Sequence, residues 1–252
     1  MTRIAPAPLL AALLLAAAGG LTGCNARPEV SAEESATVST DSSMGATTQP
    51  TPSPGEWRSL FDGRTLAGWR GFRQDVAPTG WTVRDGAITR VSGGGDLVTD
   101  DQFASFELEL EWRVEPGGNS GILYRVTEDA AQTYYTGPEM QVLDDAGHPD
   151  GRSRLTAAGA VYGLYPAPEG VVKPAGEWNR ARLVVNGAHV EHWLNGTKVA
   201  GYELGSPDWE RRVAESKFRE WPGYGRAARG HIALQDHGDV VQYREIRIRD
   251  LP

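Results

Sequence analysis

Gly137-Pro138-Glu139-Met140-Gln141-Val142-Leu143-Asp144-Asp145 reads as a strand opened by a turn and closed by two acids. Met140 and Val142 alternate with Glu139 and Gln141, so one face is apolar and the other carries a carboxylate and an amide. The strand runs into a Gly/His/Pro loop, Ala146-Gly147-His148-Pro149. Ionisable groups gathered at a strand end and its loop are where a site on a β scaffold sits.

The segments on either side carry the same period-2 signature. Phe106, Leu108, Leu110, Trp112 and Val114 alternate with Glu107, Glu109, Glu111 and Arg113, a half-buried strand with a solvated acidic face. Asn119-Ser120-Gly121-Ile122-Leu123-Tyr124-Arg125 follows a Pro-Gly-Gly turn. If this strand pairs with the 139–143 strand, Arg125 is within reach of a carboxylate or a sugar hydroxyl. Trp81 to Arg90 reads as a hairpin with Asp85-Gly86 at its turn. Trp178 to Tyr202 is a meander with Asn186-Gly187 and Asn195-Gly196 favouring type I′ turns. Gly159 to Tyr165 is expected to be a short aromatic strand. The last strand, Val240 to Arg249, changes parity, which calls for a β-bulge near Arg244. Pro207 to Glu220 is the one good helix candidate, with Ser206 as its cap and Pro207 at its first position. Many short strands, tight turns and one short helix define an all-β class, a two-sheet jelly-roll sandwich.

Composition agrees. The 252-residue chain has 31 glycines, 16 prolines and 8 tryptophans, which fits a turn-rich β protein better than a helical one. Its net charge of −8 argues against a nucleic-acid partner, which needs a basic stripe. Five histidines and one cysteine leave no Cys/His zinc cluster and no disulfide framework. There is no phosphate loop, Gly-x-Ser-x-Gly elbow or His-Glu-x-x-His pair.

The amino terminus has its own logic. Arg3 is a short positive region, and Leu9 to Ala18 is an apolar run too short to span a bilayer. Leu21-Thr22-Gly23-Cys24 looks like a bacterial lipobox. On that resemblance residues 1–23 are a signal peptide, Cys24 is lipidated, and the mature protein is a membrane-tethered lipoprotein of the bacterial cell envelope, periplasmic or at the outer membrane. The alternative is an ordinary secretory signal with a chance cysteine. Residues 24–54 are rich in Ser, Thr, Ala, Pro and Glu and read as a tether. The folded domain is expected over residues 55–252.

Seven segments of that domain stand out together: Leu60-Phe61-Asp62-Gly63, Asn119-Ser120-Gly121, Glu139 to Asp144, Gly176-Glu177-Trp178-Asn179, His192 to Gly196, Ser216-Lys217-Phe218 and Leu234 to Gly238. In this order they resemble one bacterial family, once described as domain of unknown function 1080 and now as the 3-keto-disaccharide hydrolase domain. The ordered set spans nearly the whole domain. Near its end the family reads Phe-Arg-Asn-Ile where this chain has Tyr243-Arg244-Glu245-Ile246, so no role for that asparagine carries over. The resemblance implies a concanavalin A-like lectin/glucanase sandwich, a 3-keto sugar substrate and a partner oxidoreductase that makes it.

The 139–144 stretch also echoes the two-carboxylate strand of laminarinase-type glucanases. Five strand residues span about 16 Å, whereas a retaining pair needs about 5 Å and an inverting pair up to about 9.5 Å. Glu139 and Asp144 also differ in parity. An ordinary two-carboxylate glycosidase is therefore disfavoured, and it stands as an alternative beside a non-catalytic carbohydrate-binding module.

A 3-keto substrate needs different chemistry. The ketone acidifies the C2 hydrogen, and the glycosidic oxygen on C1 lies β to it, so elimination followed by hydration achieves hydrolysis. That takes a base near C2, an acid near the glycosidic oxygen and a positive group at the enolate. The catalytic candidates are Glu139, His237, His192 and Asp236, with Glu139 or His237 as base. Arg125 and Lys217 are candidates for the enolate or a carboxylate. Asn119, Gln141, Asn195 and Gln235 are candidates for sugar hydroxyls, with Asp144 beside them, and Trp178 or Tyr162 for ring stacking. His148 is a weaker candidate. His192 has a second reading as a core histidine, and Asp236 as a turn cap through Gly238. Glu139, Asp144 and Asp145 are hard oxygen ligands, which leaves a divalent metal such as Ca2+ open as a cofactor, although no loop has regular calcium-site spacing.

Overall fold

The computed structural model describes residues 55–252; the expected signal peptide, the expected lipidation at Cys24 and the expected tether lie outside them. Within that range the chain forms thirteen strands. They are β1 (Arg58–Ser59), β2 (Trp69–Gly71), β3 (Trp81–Arg84), β4 (Ala87–Arg90), β5 (Leu97–Thr99), β6 (Phe106–Val114), β7 (Asn119–Val126), β8 (Glu139–Leu143), β9 (Asn179–Asn186), β10 (His189–Leu194), β11 (Thr197–Glu203), β12 (His231–Leu234) and β13 (Val241–Asp250). One helix, α1 (Pro207–Glu215), sits between β11 and β12.

The strands form two antiparallel sheets. The larger has the order β11-β10-β9-β6-β13-β4-β3 with β1 paired to β13, and the smaller has the order β2-β5-β12-β7-β8. Their inner faces meet in a core that includes Phe106, Leu108, Leu110 and Trp112 from β6, Ile122 and Tyr124 from β7, and Met140 and Val142 from β8. The architecture is the expected two-sheet sandwich with one short helix.

Local chemistry explains the elements and their departures from expectation. Asp85 and Gly86 both take positive φ (51° and 73°), as do Asn195 and Gly196 (49° and 83°), as type I′ turns require. The Asn186-Gly187 turn is shifted by one residue. Asn186 still pairs with His189, so Gly187 and Ala188 form the turn and only Gly187 has positive φ. The bulge in β13 falls between Arg244 and Arg247, where Glu245 has φ 53°.

Three expectations are corrected. Gly159 to Tyr165 is not a strand. Gly159 and Gly163 bend it through positive φ, and it makes isolated bridges at Val161 while capping the free edge of β8. Tyr162 N–H donates to Glu139 C=O and Gln141 N–H to Ala160 C=O, both at 3.1 Å. The helix stops at Glu215. Ser216 Oγ donates to Val213 C=O (2.9 Å) and accepts from Phe218 N–H (3.1 Å), so Lys217–Glu220 turns off as a separate 3-10 turn. The acidic face of β6 is not bare. Glu107 pairs with Arg182 and Arg249, and Glu109 with Arg180 and Arg247. Flanking strands cover the glutamates with guanidiniums, leaving Glu107 only 4 % exposed.

Candidate active site

The pairing of β7 with β8 builds the floor of the site. Leu123 lies opposite Glu139 and Gly121 opposite Gln141. Directly opposed residues share a face, and this face is the one turned away from Met140, Val142 and the main core. Leu123 there joins Val98, Val126 and Ala233 in a small apolar cluster against which Tyr134 packs. Gln235, just past β12, donates its N–H to Gly121 C=O at 3.0 Å and extends the floor.

Above this floor lies a cavity of about 370 Å3, lined by Asn119, Tyr134, Glu139, Gln141, Tyr162, Lys217, Phe218, Trp221, Gln235 and His237. Each wall has an identifiable origin. The loop that caps β8 brings in Tyr162, and the turn after α1 brings Lys217, Phe218 and Trp221. The turn Thr133–Tyr135 brings Tyr134, and the segment after β12 brings His237.

The floor is polar and buried. Glu139, Gln141 and Asn119 are 6 %, 1 % and 2 % exposed. Neither the nitrogen nor the oxygen of the Gln141 amide has a protein partner, nor has Asn119 Oδ1. Buried polar groups are ordinarily satisfied, so these atoms keep hydrogen-bonding capacity unspent at the lining of the cavity. His148 accepts from Asp150 N–H (3.1 Å) and places its other ring nitrogen 3.4 Å from the Asn119 amide, which braces that side chain.

Burial pushes the Glu139 carboxyl up to about 8. The Lys217 charge pulls it back, and Asp96 and Asp150 push it further up. Lys217 itself is held among aromatic rings, its ammonium 4.5 Å from the Tyr162 centroid, 5.3 Å from Phe218 and 5.9 Å from Tyr134. Such rings hold a cation without neutralising it. His237 stands at the rim, about half exposed, with Nδ1 3.9 Å from Asp239 and its ring 6.1 Å from that of His148.

Of the sequence candidates, the cavity thus brings together Glu139, His237, Asn119, Gln141, Gln235, Lys217 and Tyr162. The others are used elsewhere. His192 is fully buried between the sheets, next to Tyr124 Oη (3.2 Å) and Gly159 C=O (3.2 Å). Burial brings its imidazole down to about 4, so it is a neutral core residue. Asp236 pairs with Arg90 at 2.7 Å and accepts from Gly94, Gly95 and Gly238 N–H, which consumes its acceptor capacity. Arg125 lies on the strand that pairs with β8, but its guanidinium donates to Ala104 and Gly187 C=O. Asp144 caps Gly117 and Ala146 N–H. Trp178 lies under the guanidiniums of Arg113 (4.7 Å) and Arg244 (4.0 Å) on the larger sheet. Asn195 there ties Arg180 N–H, Val171 C=O and Asn179 together.

Among the described residues Glu139 is the one carboxyl lining the cavity. The second acid of a glucanase pair is therefore not at hand, since Asp144 is turned to its cap. The three carboxyls considered as metal ligands do not converge either. Asp145 pairs with Arg154 (3.3 Å) and accepts from Ala158 N–H (2.7 Å), and no group of three or more His, Cys, Asp or Glu gathers among the described residues.

Sequence reasoning passed over Tyr134 and Trp221 as site residues. The signal was two aromatic patches, Thr133-Tyr134-Tyr135 and Trp221-Pro222-Gly223-Tyr224, inside otherwise polar loops.

A sandwich with a buried acid, unpartnered amides and aromatic walls in one cavity defines a carbohydrate-active, hydrolase-like enzyme. Residues 56–249 match the 3-keto-alpha-glucoside-1,2-lyase-like domain, and the chain belongs to that family. It is 35 % identical, over an alignment 280 positions long that covers 96 % of each chain, to a 3-keto-disaccharide hydrolase of Bacteroides thetaiotaomicron. Two crystal structures of candidate glycosyl hydrolases from Parabacteroides distasonis ATCC 8503 share the fold. One has a TM-score of 0.72 at 34 % identity, covering 78 % of this chain and 94 % of the other. The second has a TM-score of 0.62 at 31 % identity, covering 78 % and 100 %.

Proposed function

We propose that the protein cleaves 3-keto-glycosides, 3-keto-disaccharides among them, by elimination and rehydration. The observation that carries this reading is the single carboxyl of the cavity, Glu139, raised to about 8 by burial beside the Lys217 charge. One strong base next to one cation suits proton abstraction α to a ketone, and a second carboxylate is not required.

In this reading Glu139 removes the C2 proton, and the C2–H electron pair moves into a C2=C3 enolate with its charge on the C3 oxygen. Negative charge passes from the carboxylate to that oxygen, so Lys217 faces one negative charge before and after the step. The enolate then collapses. C3=O re-forms, a C1=C2 double bond appears, and the C1–O bond breaks. His237 gives its proton to the departing oxygen. Water adds at C1, C2 recovers a proton, and the sum is hydrolysis. Gln141, Asn119 and Gln235 hold hydroxyls of the keto sugar.

The family membership and the Bacteroides relative support the substrate class. The lipobox-like Leu21-Thr22-Gly23-Cys24 segment supports an envelope location with a membrane anchor, and an oxidoreductase must supply the ketone.

The test is turnover of a 3-keto-glucoside against its parent sugar by the purified protein, with and without a chelator. Cleavage of the keto sugar alone is expected. Cleavage of the parent sugar overturns the reading in favour of a conventional glycosidase, and binding without cleavage in favour of a lectin-like module. Chelator sensitivity would add a metal to the mechanism.

A further inference from the structure

The cavity is chemically divided. Its floor carries the acid and the amides, whereas Tyr134 and Trp221 form an aromatic wall at the open side. Glu139, Gln141 and Asn119 on the floor are 6 % exposed or less, while Tyr134 and Trp221 are intermediate in exposure. The wall is rigid. Trp221 stacks on Tyr135 (4.5 Å, 22°) and meets Tyr134 (5.5 Å) and Phe218 (5.8 Å) edge-on. Tyr134 is fixed in turn, because Thr133 next to it donates its hydroxyl to Asp96. The elimination reaction does not use these rings.

A volume of about 370 Å3 is at the small end for ligand pockets and leaves room beyond one sugar ring for a leaving group of similar size. With the keto sugar on the polar floor, the glycosidic oxygen points outward and the leaving group must lie along the mouth. We propose that the Tyr134–Trp221 wall is the leaving-group subsite and selects leaving groups with a flat apolar face over short alkyl ones. This rests on the elimination reading for the sugar's orientation. The warrant for the wall is that fixed aromatic rings bind flat apolar surfaces at low entropic cost.

The experiment compares benzyl and methyl 3-keto-glucosides of one anomeric configuration. Their alcohols are similar in acidity, so bond breaking contributes little to the difference. The wild type should favour benzyl in kcat/KM. Trp221→Ala should lower the benzyl value about three- to tenfold and move the methyl value less than about twofold, and Trp221→Phe should keep most of the preference. Equal loss on both substrates, or no benzyl preference in the wild type, overturns the proposal. If Trp221→Ala does not fold, Tyr134→Leu gives the same comparison. If neither keto sugar is cleaved, the reaction assignment fails, and the Kd ratio of benzyl to methyl glucoside tests the wall alone. A ratio unchanged by the substitution then overturns it.

Discussion

The carboxyl of Glu139 lies over the bare Cα of Gly121, in the space that a side chain at position 121 would fill. Gly121 sits opposite Gln141 in the β7–β8 ladder, so its missing side chain is what lets an acid and an amide from one strand share the same floor. The position has no positive φ. The glycine is required by close approach rather than by backbone conformation.

Gly121→Ala should therefore separate stability from activity. The fold can absorb a methyl group for about 1–3 kcal/mol, but the Glu139 carboxyl must swing aside. A displacement of about 1 Å costs on the order of 100-fold in rate. Paired kcat and thermal-melt measurements should show that loss with a modest drop in Tm. Wild-type kcat in the variant would mean that the carboxyl position is not critical.

Glu139 also leaves a signature in the pH dependence of both rate and stability. As the proposed base it must be ionised, so kcat/KM should rise with pH up to about 8. Its folded value is raised above the ordinary 4.5. Between about 4.5 and 8 the unfolded chain has released this proton and the folded chain still holds it, so stability falls as pH rises. The total is a few kcal/mol at about 1.4 kcal/mol per pH unit. Glu139→Gln should flatten the stability curve from pH 6.5 to 8 and abolish turnover. A variant with the wild-type slope would show that another group titrates there.

His192 works in the opposite direction. Its folded value is about 4 against an ordinary 6.5. As pH falls through that window the unfolded chain gains a proton that the folded chain refuses, so stability is lost on acidification. His192→Phe should reduce this acid sensitivity and leave the pH dependence of kcat/KM in place, as urea titrations and rate profiles from pH 4 to 7 would register. A selective loss of kcat at unchanged stability would return His192 to the catalytic machinery.

Lys217→Met removes the cation that lowers the Glu139 value. The rising limb of the rate profile should move to higher pH, and kcat should fall about 10²- to 10³-fold. A fall in kcat with an unmoved limb would mean that Lys217 acts far from the base.

The floor was legible in the sequence because it lies on regular strands. The period-2 pattern puts Glu139 and Gln141 on the face opposite Met140 and Val142, and that holds in the folded chain. The Asn195-Gly196 turn and the β13 bulge followed from equally local rules. What could not be read was long-range competition for side chains. Asp236 and Arg90 are separated by 146 residues, and Arg125 finds carbonyls of Ala104 and Gly187 through the fold. Strand parity put His192 on the apolar side, but only its contacts with Tyr124 and Gly159 fix it as core. The loop walls were less legible still. Nothing periodic marks Tyr134 or Trp221, and Lys217 reaches Tyr162 only because Ser216 breaks the helix early.

The most direct test of the elimination pathway is the fate of the C2 hydrogen. A 3-keto-glucoside cleaved in D2O, sampled at early turnover, should give a keto sugar carrying one deuterium at C2 and none at C4, because C2 loses its proton to Glu139 and regains one after water adds at C1. Product with its original hydrogen at C2, together with no primary isotope effect on kcat/KM for a substrate deuterated at C2, would mean that the bond breaks without C2 deprotonation, and would contradict the account.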